Sequence, residues 1–296
     1  MTIQVIFAPV TGRKSDSSVL AAARGAAKRF NAHIDVVSLR ADPRDAIPYL
    51  GEGISGALVE EFIAQAETEN TEQAHKARAA FNEWRDAAGF VLADSMSDAV
   101  AIQGSTAEIP TCSWREVTGA SDQTAASYGR LADLIVAPRG ELANAVENEV
   151  AFETALLYSG RPLLLAPPTP QEEFGNRIAI AWDGSAEASR AVGAALPFLC
   201  TAEEVTAITV AEDNKVESPV EDLARYLSWH GVTANTRNVG LESRTVGEAI
   251  LGAARHESAD LLVMGAYSHN RFRQLVFGGA TRYILDEGAM PVLMTH

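Results

Sequence analysis

The segment "ADLLVMGAY", from Ala259 to Tyr267, is nearly repeated earlier in the chain as "ADLIVAPRG", from Ala132 to Gly140. Each copy is followed by a loop, a helix-like stretch and a short apolar strand after a proline, "MPVLMTH" in one case and "RPLLLAPP" in the other. Upstream, "NRIAIAWDGS" and "IQVIFAPVTG" each give an apolar strand, a turn and the start of an alanine-rich helix. This repetition indicates a tandem duplication of one structural unit.

The length of the chain fits two such units. Its 296 residues are too many for one ordinary core and suit two domains of roughly 100–200 residues. The joint falls near the proline-rich, charged segment "PPTPQEEFGN". We therefore expect a first domain at residues 1–168, a linker at 169–176 and a second domain at 177–296.

The second unit alternates strands with helices. "RIAIAW", "EVTAITVA", "VTANTRNVG", "ADLLVM" and "PVLMTH" are strand-like, and Ala-rich or amphipathic helical segments separate them. Ser185 is the expected N-cap of the first helix, and Gly288 the stop of the last one. Such alternation predicts the α/β class, with a mostly parallel, doubly wound sheet covered on both faces. We expect "RPLLLAPP" and "PVLMTH" to be edge strands that protect each other.

The first unit has an enlarged middle, residues 41–110. It contains "DPRDAIPYLGEGISG", a long helix in which Ala77, Phe81, Trp84 and Ala88 share a face, and a loop-like stretch from Gly89 to Pro110. "GEGISG" fits the pattern G-x-G-x-x-G, but a proline-broken loop precedes it where a dinucleotide fold needs a strand. We interpret it as the lead into the long helix. The insertion either covers the core or presents a docking face.

The net charge of the chain limits the classes of partner that it can bind. Lys and Arg number 24 against 39 Asp and Glu, which gives a net charge of −15. Such a charge repels nucleic acid and anionic membrane surfaces. The first residues lack the pattern of a signal peptide, and no stretch approaches the roughly 20 apolar residues of a membrane span. We expect a cytoplasmic protein with neither nucleic acid nor membrane as a partner.

The reactive side chains form no recognisable catalytic or metal motif. Cys112 and Cys200 are far apart, which is typical of separate thiols in a reducing compartment. The six histidines never stand at i, i+4 spacing, so we expect no metal site. Neither a G-x-S-x-G elbow nor a P-loop occurs.

Glycines flank the loop that follows "ADLLVM", with Gly265 at its start and Gly278 and Gly279 at its end. In a doubly wound sheet, ligands bind at the carboxyl ends of strands where the winding reverses. Glycine lets a phosphate approach the backbone, and a helix starting near Gly279 offers free N–H groups. A structural alternative is that these glycines only allow tight turns. Asp183 has two uses as well, since it can bind a base or ribose or simply shape its own turn.

The loop from Gly265 to Thr281 resembles the nucleotide loop of the universal stress protein family, in which glycine, two residues, glycine, nine residues, glycine and Ser or Thr follow one another. "AWDGS" and "FGGATRYIL" leading to "PVLM" extend the resemblance, and both units share it. The resemblance implies two tandem five-stranded domains of the adenine nucleotide alpha hydrolase-like type, with strand order 3-2-1-4-5 and paired through their last strands. It implies ATP or AMP binding, with magnesium, in some members, whereas other members act through protein partners without a nucleotide.

Transferred residue by residue, the resemblance implies a nucleotide site in the second unit. Asp183 matches the aspartate near the adenine, Val210 the residue whose backbone reads the base, and Gly265 and Gly278 the first and last glycines. Ser268 and Gly279 depart from the pattern, and Thr281 is the nearby hydroxyl that could replace the missing one. The candidate nucleotide-binding residues are Ala181, Trp182, Asp183, Val210, Met264, Gly265, Ser268, Gly278, Gly279, Ala280 and Thr281.

The first unit departs further from the family pattern. Val10 stands where we place the counterpart of Asp183, and only Gly140 of the loop glycines remains. Glu141, Glu147 and Glu149 carry negative charge where a phosphate would lie. We expect the first domain to be a partner that binds no nucleotide.

These observations predict a non-enzymatic, cytoplasmic stress-response protein whose second domain binds ATP or AMP as a regulatory switch. The two domains would form an internal pseudo-dimer, and two chains could associate further. The first alternative is a protein-interaction module with an empty pocket. The second is an enzyme acting on ATP, for which the loop offers only His269, Arg271 and Arg273 as chemical groups.

Overall fold

The computed structural model describes residues 2–40, 42–44, 56–95, 97–98, 110–119, 121–139, 153–211, 220–266 and 279–296. The strands in these ranges are β1 (Val5–Val10), β2 (His33–Arg40), β3 (Val91–Leu92), β4 (Thr111–Thr118), β5 (Leu134–Pro138), β6 (Leu163–Ala166), β7 (Arg177–Ala181), β8 (Glu204–Ala211), β9 (Ala234–Gly240), β10 (Leu261–Gly265) and β11 (Val292–Thr295). The helices are α1 (Asp16–Phe30), α2 (Gly56–Ala88), α3 (Ser121–Gly129), α4 (Ala186–Leu199), α5 (Val220–Ser228), α6 (Val246–His256) and α7 (Gly279–Glu287).

All of these strands belong to one sheet, in the order β3-β4-β2-β1-β5-β6-β11-β10-β7-β8-β9. The second half, β9-β8-β7-β10-β11, has the order 3-2-1-4-5 that was predicted. The first half repeats it as β4-β2-β1-β5-β6, with β3 added outside β4. The predicted loop from Gly89 to Pro110 is therefore wrong at Val91–Leu92, which pairs in parallel with Thr111–Cys112.

The two halves meet in the middle of this sheet. β6 and β11 pair antiparallel, with Leu164 opposite Leu293, which confirms the predicted mutual protection of these strands. Every other described strand pair is parallel, so the strands of the two halves run in opposite directions. As a consequence, the carboxyl ends of the first half's strands lie at one edge of the sheet, and those of the second half at the opposite edge.

The central strands are apolar because helices cover both faces of the sheet. β5, β6, β10 and β11 are buried along almost their whole length. One cluster of buried hydrophobic residues lies between the sheet and helices α1, α2, α4 and α5. A second cluster lies on the other face, under α3, α6 and α7. No helix in the described ranges is long and apolar enough to cross a membrane.

The segment predicted to be a linker packs against both halves. Phe174 is buried in the first cluster, with its ring 6.0 Å from that of Phe198. Glu172 accepts a hydrogen bond from Arg24 of α1 at 2.9 Å. The carboxylate of Asp260 accepts from the backbone of Gly175 at 2.8 Å and fixes the start of β7. The connection is thus part of the hydrophobic and polar packing.

The long helix of the insertion is present as predicted. α2 begins at Gly56, while the other residues of "GEGISG", at 51–55, lie outside the described ranges. Ala77 and Phe81 are its buried residues. The Phe81 ring lies 4.8 Å from that of Trp114 on β4, so the carboxyl-terminal part of α2 covers the core.

Candidate functional site

The carboxyl ends of β7 and β10 lie side by side. Ala181 is opposite Met264 in this parallel pair, while β8 borders β7 on its other side. The chain therefore leaves β7 in one direction and later returns to its other flank, which makes this gap a topological switch point. Asp183 and Gly265 follow these two strand ends at the same edge, as the sequence predicted.

Asp183 shapes the turn that leads from β7 into α4. Its Oδ1 atom accepts a hydrogen bond from the backbone N–H of Ser185 at 2.9 Å, and Gly184 between them has φ of +75°. Ser185 is the N-cap as predicted, since its hydroxyl accepts from the N–H of Ala188 at 3.1 Å. The side chain of Asp183 is exposed. The turn role and a ligand role are compatible, because the described hydrogen bond engages only Oδ1.

The side chains around the end of β7 divide between the two faces of the sheet. Ala181, Val210 and Met264 belong to the cluster under α6 and α7. Trp182 packs on the opposite cluster, and its indole Nε1 is buried without a hydrogen-bond partner in the described part of the chain. Its backbone is tied to β8, because its carbonyl accepts from Thr209 Oγ1 at 3.0 Å. The structure thus places the side chain of Trp182 on the other face of the sheet from those of Ala181, Val210 and Met264.

Gly265 is required by the packing of α4. A Cβ on this residue would lie 2.5 Å from the backbone nitrogen of Ala188 and 2.6 Å from the carbonyl carbon of Glu187. These distances are far below ordinary van der Waals contact, so only glycine lets the first turn of α4 sit against the end of β10. The close approach at this glycine is made by the protein's own backbone.

A polar cluster that the sequence did not reveal surrounds this contact. Glu187 is buried, and it accepts from Arg190 at 2.8 Å. Arg190 also donates to the carbonyl of His296 at 2.8 Å, and Thr295 Oγ1 donates to the carbonyl of Glu187 at 3.2 Å. The N–H of Ala266 donates to the carbonyl of Thr295 at 2.8 Å. The cluster fixes β10, β11 and α4 together, and its one sequence signal was an acid in the first turn of an alanine-rich helix.

The other loop candidates lie at the start of α7 or outside the described residues. Ser268 and Gly278 lie outside them. Gly279 is exposed, and a Cβ added to it would meet open space. Ala280 is partly buried, and Thr281 is only 6% exposed. Its hydroxyl therefore meets a phosphate only if the ligand reaches below the surface of the helix.

The strand register changes the comparison of the two halves. Ile6 is opposite Leu134 in the first half, as Ile178 is opposite Leu261 in the second. Counting onward, Thr11 and not Val10 is the counterpart of Asp183, so the assignment of Val10 was wrong. Gly12, with φ of +79°, then corresponds to Gly184. In this half, Asp16 shapes the turn by accepting from the N–H groups of Thr11 at 3.0 Å and Gly12 at 2.8 Å.

The first half also differs at the position of the first loop glycine. By the same register Pro138 corresponds to Gly265, and Arg139 to Ala266. Arg139 is buried, and its guanidinium packs against Gly288, just past the end of α7. A Cβ on Gly12 would overlap the backbone carbonyl of Gln73, so α2 closes over this turn. The residues Gly140, Glu141, Glu147 and Glu149 lie outside the described ranges.

The described geometry defines an α/β protein with two repeated doubly wound halves and a topological switch point in the second half. Residues 175–296 match the family model described as "Universal stress protein family". Universal stress protein Slr1230 of Synechocystis sp. is 26% identical over 167 residues, which cover 54% of this chain and about half, 56%, of that protein.

Solved structures extend the likeness in fold to the whole chain. A universal stress protein from Archaeoglobus fulgidus DSM 4304 superposes with a TM-score of 0.67 at 15% identity, over 98% of this chain and 97% of that one. A candidate universal stress protein from Pseudomonas aeruginosa UCBPP-PA14 gives a TM-score of 0.56 at 12% identity, over 99% and 93%. The family match thus covers residues 175–296, and the likeness in fold covers the whole chain.

Proposed function

We propose that the second half, residues 177–296, binds an adenine nucleotide, ATP or AMP with magnesium, in the crevice between the carboxyl ends of β7 and β10. The observation that carries this proposal is the switch point itself, where Ala181 and Met264 are neighbours and Asp183 is exposed at the rim. An exposed carboxylate can accept hydrogen bonds from a ribose or a base. The first turn of α7, which begins at Gly279, presents backbone N–H groups that can donate to phosphate oxygens.

The proposed role of the nucleotide is regulatory and not catalytic. Hydrolysis would need a general base or metal-binding acids beside the phosphates. Glu187, a buried acid of α4, is held by Arg190 and packs against Gly265. We propose a cytoplasmic stress-response protein in which nucleotide occupancy changes the surface offered to other proteins.

The first half, residues 1–168, is proposed to be a partner domain without a nucleotide, joined by residues 169–176. Pro138 replaces the first loop glycine, and α2 covers the turn at Gly12. Both differences act against a phosphate beside the backbone. The expected stoichiometry is therefore one nucleotide per chain.

The test is calorimetric titration with ATP, ADP and AMP in the presence of magnesium, after any co-purified nucleotide has been stripped. Micromolar binding that disappears in Asp183→Ala or Gly278→Val would support the proposal. Thr11→Ala is the matched control, because Thr11 is the counterpart of Asp183 and its substitution should leave binding unchanged. Two nucleotides per chain would contradict the assignment of the first half.

One observation favours the alternative of a nucleotide-free interaction module. Gly265 is explained by its contact with α4, and Thr281 is buried, so neither residue needs a ligand to account for it. If no heat is released at millimolar nucleotide and none is retained on purification, this alternative replaces the nucleotide switch. Further association of two chains is a separate proposal, which sedimentation analysis would check.

A further inference from the structure

The insertion helix α2 has two parts with different surroundings. From Gln73 onward it packs on the protein, with Ala77 and Phe81 buried and Trp84 against the core. The preceding segment, Gly56–Glu72, which we call the acidic arm, contains no residue buried to the same degree. The counterpart helix of the second half, α5, is described only over Val220–Ser228, and Val220 at its start is already buried.

The direction of α2 shows where the acidic arm lies. The carbonyl of Gln73 lies against Gly12, which follows the carboxyl end of β1. From there α2 runs back along the sheet to the start of β3, whose neighbour β4 is parallel to β2. The arm therefore extends beyond the carboxyl edge of the first half, by about 25 Å for a helix of this length. This is the edge opposite to the proposed nucleotide crevice.

An apolar stripe runs along the acidic arm. Its members follow one another at helical spacings of three and four residues and are Leu58, Val59, Phe62, Ile63 and Ala66. Leu58 is 57% exposed and Phe62 is 38% exposed. An apolar stripe on a helix that leaves the body of the protein is typical of a surface that buries its stripe against another element.

Acidic residues border this stripe on both sides. At about 100° per residue, Glu60 and Glu67 fall on one side of it, and Glu61 and Glu72 on the other. Glu69 makes a fifth acid, which falls at the angle of the stripe itself, one turn past Ala66. The segment contains neither lysine nor arginine. In the described part of the chain, the one cation near these five carboxylates is Lys76, 4.0 Å from Glu72. The arm thus combines an apolar stripe with glutamates on both sides of it.

We propose that the acidic arm is the docking surface for an amphipathic helix of another protein, whose apolar face is bordered by lysine and arginine. Two helices packed side by side would bury the stripe, while the basic border of the partner would meet the glutamates. A second copy of this chain fits poorly as the occupant, because it would place five glutamates against five like charges at close range. Anionic membranes are disfavoured for the same reason.

The test measures binding of a short synthetic leucine–lysine amphipathic peptide to the full chain by fluorescence anisotropy, with the leucine–glutamate analogue as the first control. Phe62→Glu is the decisive variant, because it adds negative charge while it breaks the stripe. Docking on the stripe predicts that affinity for the basic peptide falls by about tenfold or more, the loss expected when one Phe burial is removed. If the peptide binds only through non-specific attraction to a chain of charge −15, the affinity of Phe62→Glu for it should equal or exceed that of the wild type.

Tyr226→Glu is the matched control, since Tyr226 is a 44% exposed aromatic residue on α5 and the variant adds the same charge elsewhere. It should bind the peptide as the wild type does. Leu58→Glu provides a second break of the stripe in case Phe62→Glu folds poorly by circular dichroism. The proposal would be overturned if all variants bound the peptide with equal affinity. It would also be overturned if the chain did not bind the peptide and sedimentation showed a dimer that Phe62→Glu dissociates.

Discussion

Replacing Gly265 by alanine tests whether this glycine serves packing or a ligand. The new Cβ would lie 2.5 Å from the nitrogen of Ala188 and 2.6 Å from the carbonyl carbon of Glu187. Both atoms belong to the backbone of α4, so no side-chain rotation can relieve the overlap. The first turn of α4 must move away from β10, and this also strains the hydrogen bond from Thr295 to the carbonyl of Glu187.

Overpacking of this kind costs about 1–3 kcal/mol of the free energy of unfolding. For a chain of 296 residues, that loss corresponds to a fall in Tm of roughly 2 to 5 °C. Differential scanning calorimetry on nucleotide-free protein measures it directly. The use of stripped protein matters, because a bound ligand would add its own stabilisation to the comparison.

Gly279→Ala is the matched control at the other end of the loop. A Cβ there meets nothing within 4 Å, and the residue already lies in the first turn of α7. Since alanine restricts the unfolded chain more than glycine does, Tm should stay the same or rise slightly. If Gly265→Ala melts at the wild-type temperature but no longer binds ATP, the packing explanation of Gly265 is refuted and the ligand explanation stands.

Three further outcomes are expected from buried polar groups. Burial raises the pKa of the Cys112 thiol to about 12, so Ellman's reagent should react with one thiol in the native chain, that of exposed Cys200, and with two after denaturation in guanidinium. Burial lowers the pKa of His33 in the folded state below its ordinary value of about 6.5, so protonation favours the unfolded chain. Between pH 7.5 and pH 5, the free energy of unfolding measured with urea should therefore fall more for the wild type than for His33→Asn. Equal falls in the two proteins would contradict this. Burial lowers the pKa of Arg139 to about 10, and its guanidinium nitrogens have no hydrogen-bond partner among the described residues. Arg139→Met should therefore leave the free energy of unfolding unchanged or raise it by about 1 kcal/mol, whereas a loss above about 2 kcal/mol would show that the guanidinium has an anionic partner.

The fold could be predicted well from the sequence because the same pattern of strands and helices occurs in both halves. "ADLIVAPRG" and "ADLLVMGAY" each become a buried strand next to the first strand of its half, and the proline-led segments become the antiparallel pair β6 and β11. Apolar strand runs, helical spacing and caps such as Ser185 are local signals, and local signals were enough to place these elements.

The candidate site was less accessible to the same reasoning. The counterpart of Asp183 was misplaced by one residue, because an ungapped comparison of letters at the end of β1 cannot detect where pairing with β5 sets the register. The reason for Gly265 lies in a contact with α4, nearly eighty residues earlier in the chain. Glu187 and Arg190 meet Thr295 and the carbonyl of His296 only after β10 and β11 are aligned. Such contacts depend on tertiary packing and leave no motif in the sequence.

The antiparallel pairing of β6 with β11 orients the two halves in opposite directions, although they share one strand order. Because the strands reverse direction between β6 and β11, the crevice beside Asp183 and the acidic arm lie at opposite edges of the sheet. α7 begins at Gly279, on the edge of the crevice, and the chain just past its end touches Arg139 of the first half. The helix also packs closely on α6, since a Cβ on Gly247 would lie 2.7 Å from that of Tyr283. A displacement of α7 by a ligand at its start would therefore disturb its packing against α6 and the contact with Arg139. The duplicated fold thus places the crevice and the acidic arm, the two surfaces for which we propose functions, at opposite edges of one sheet.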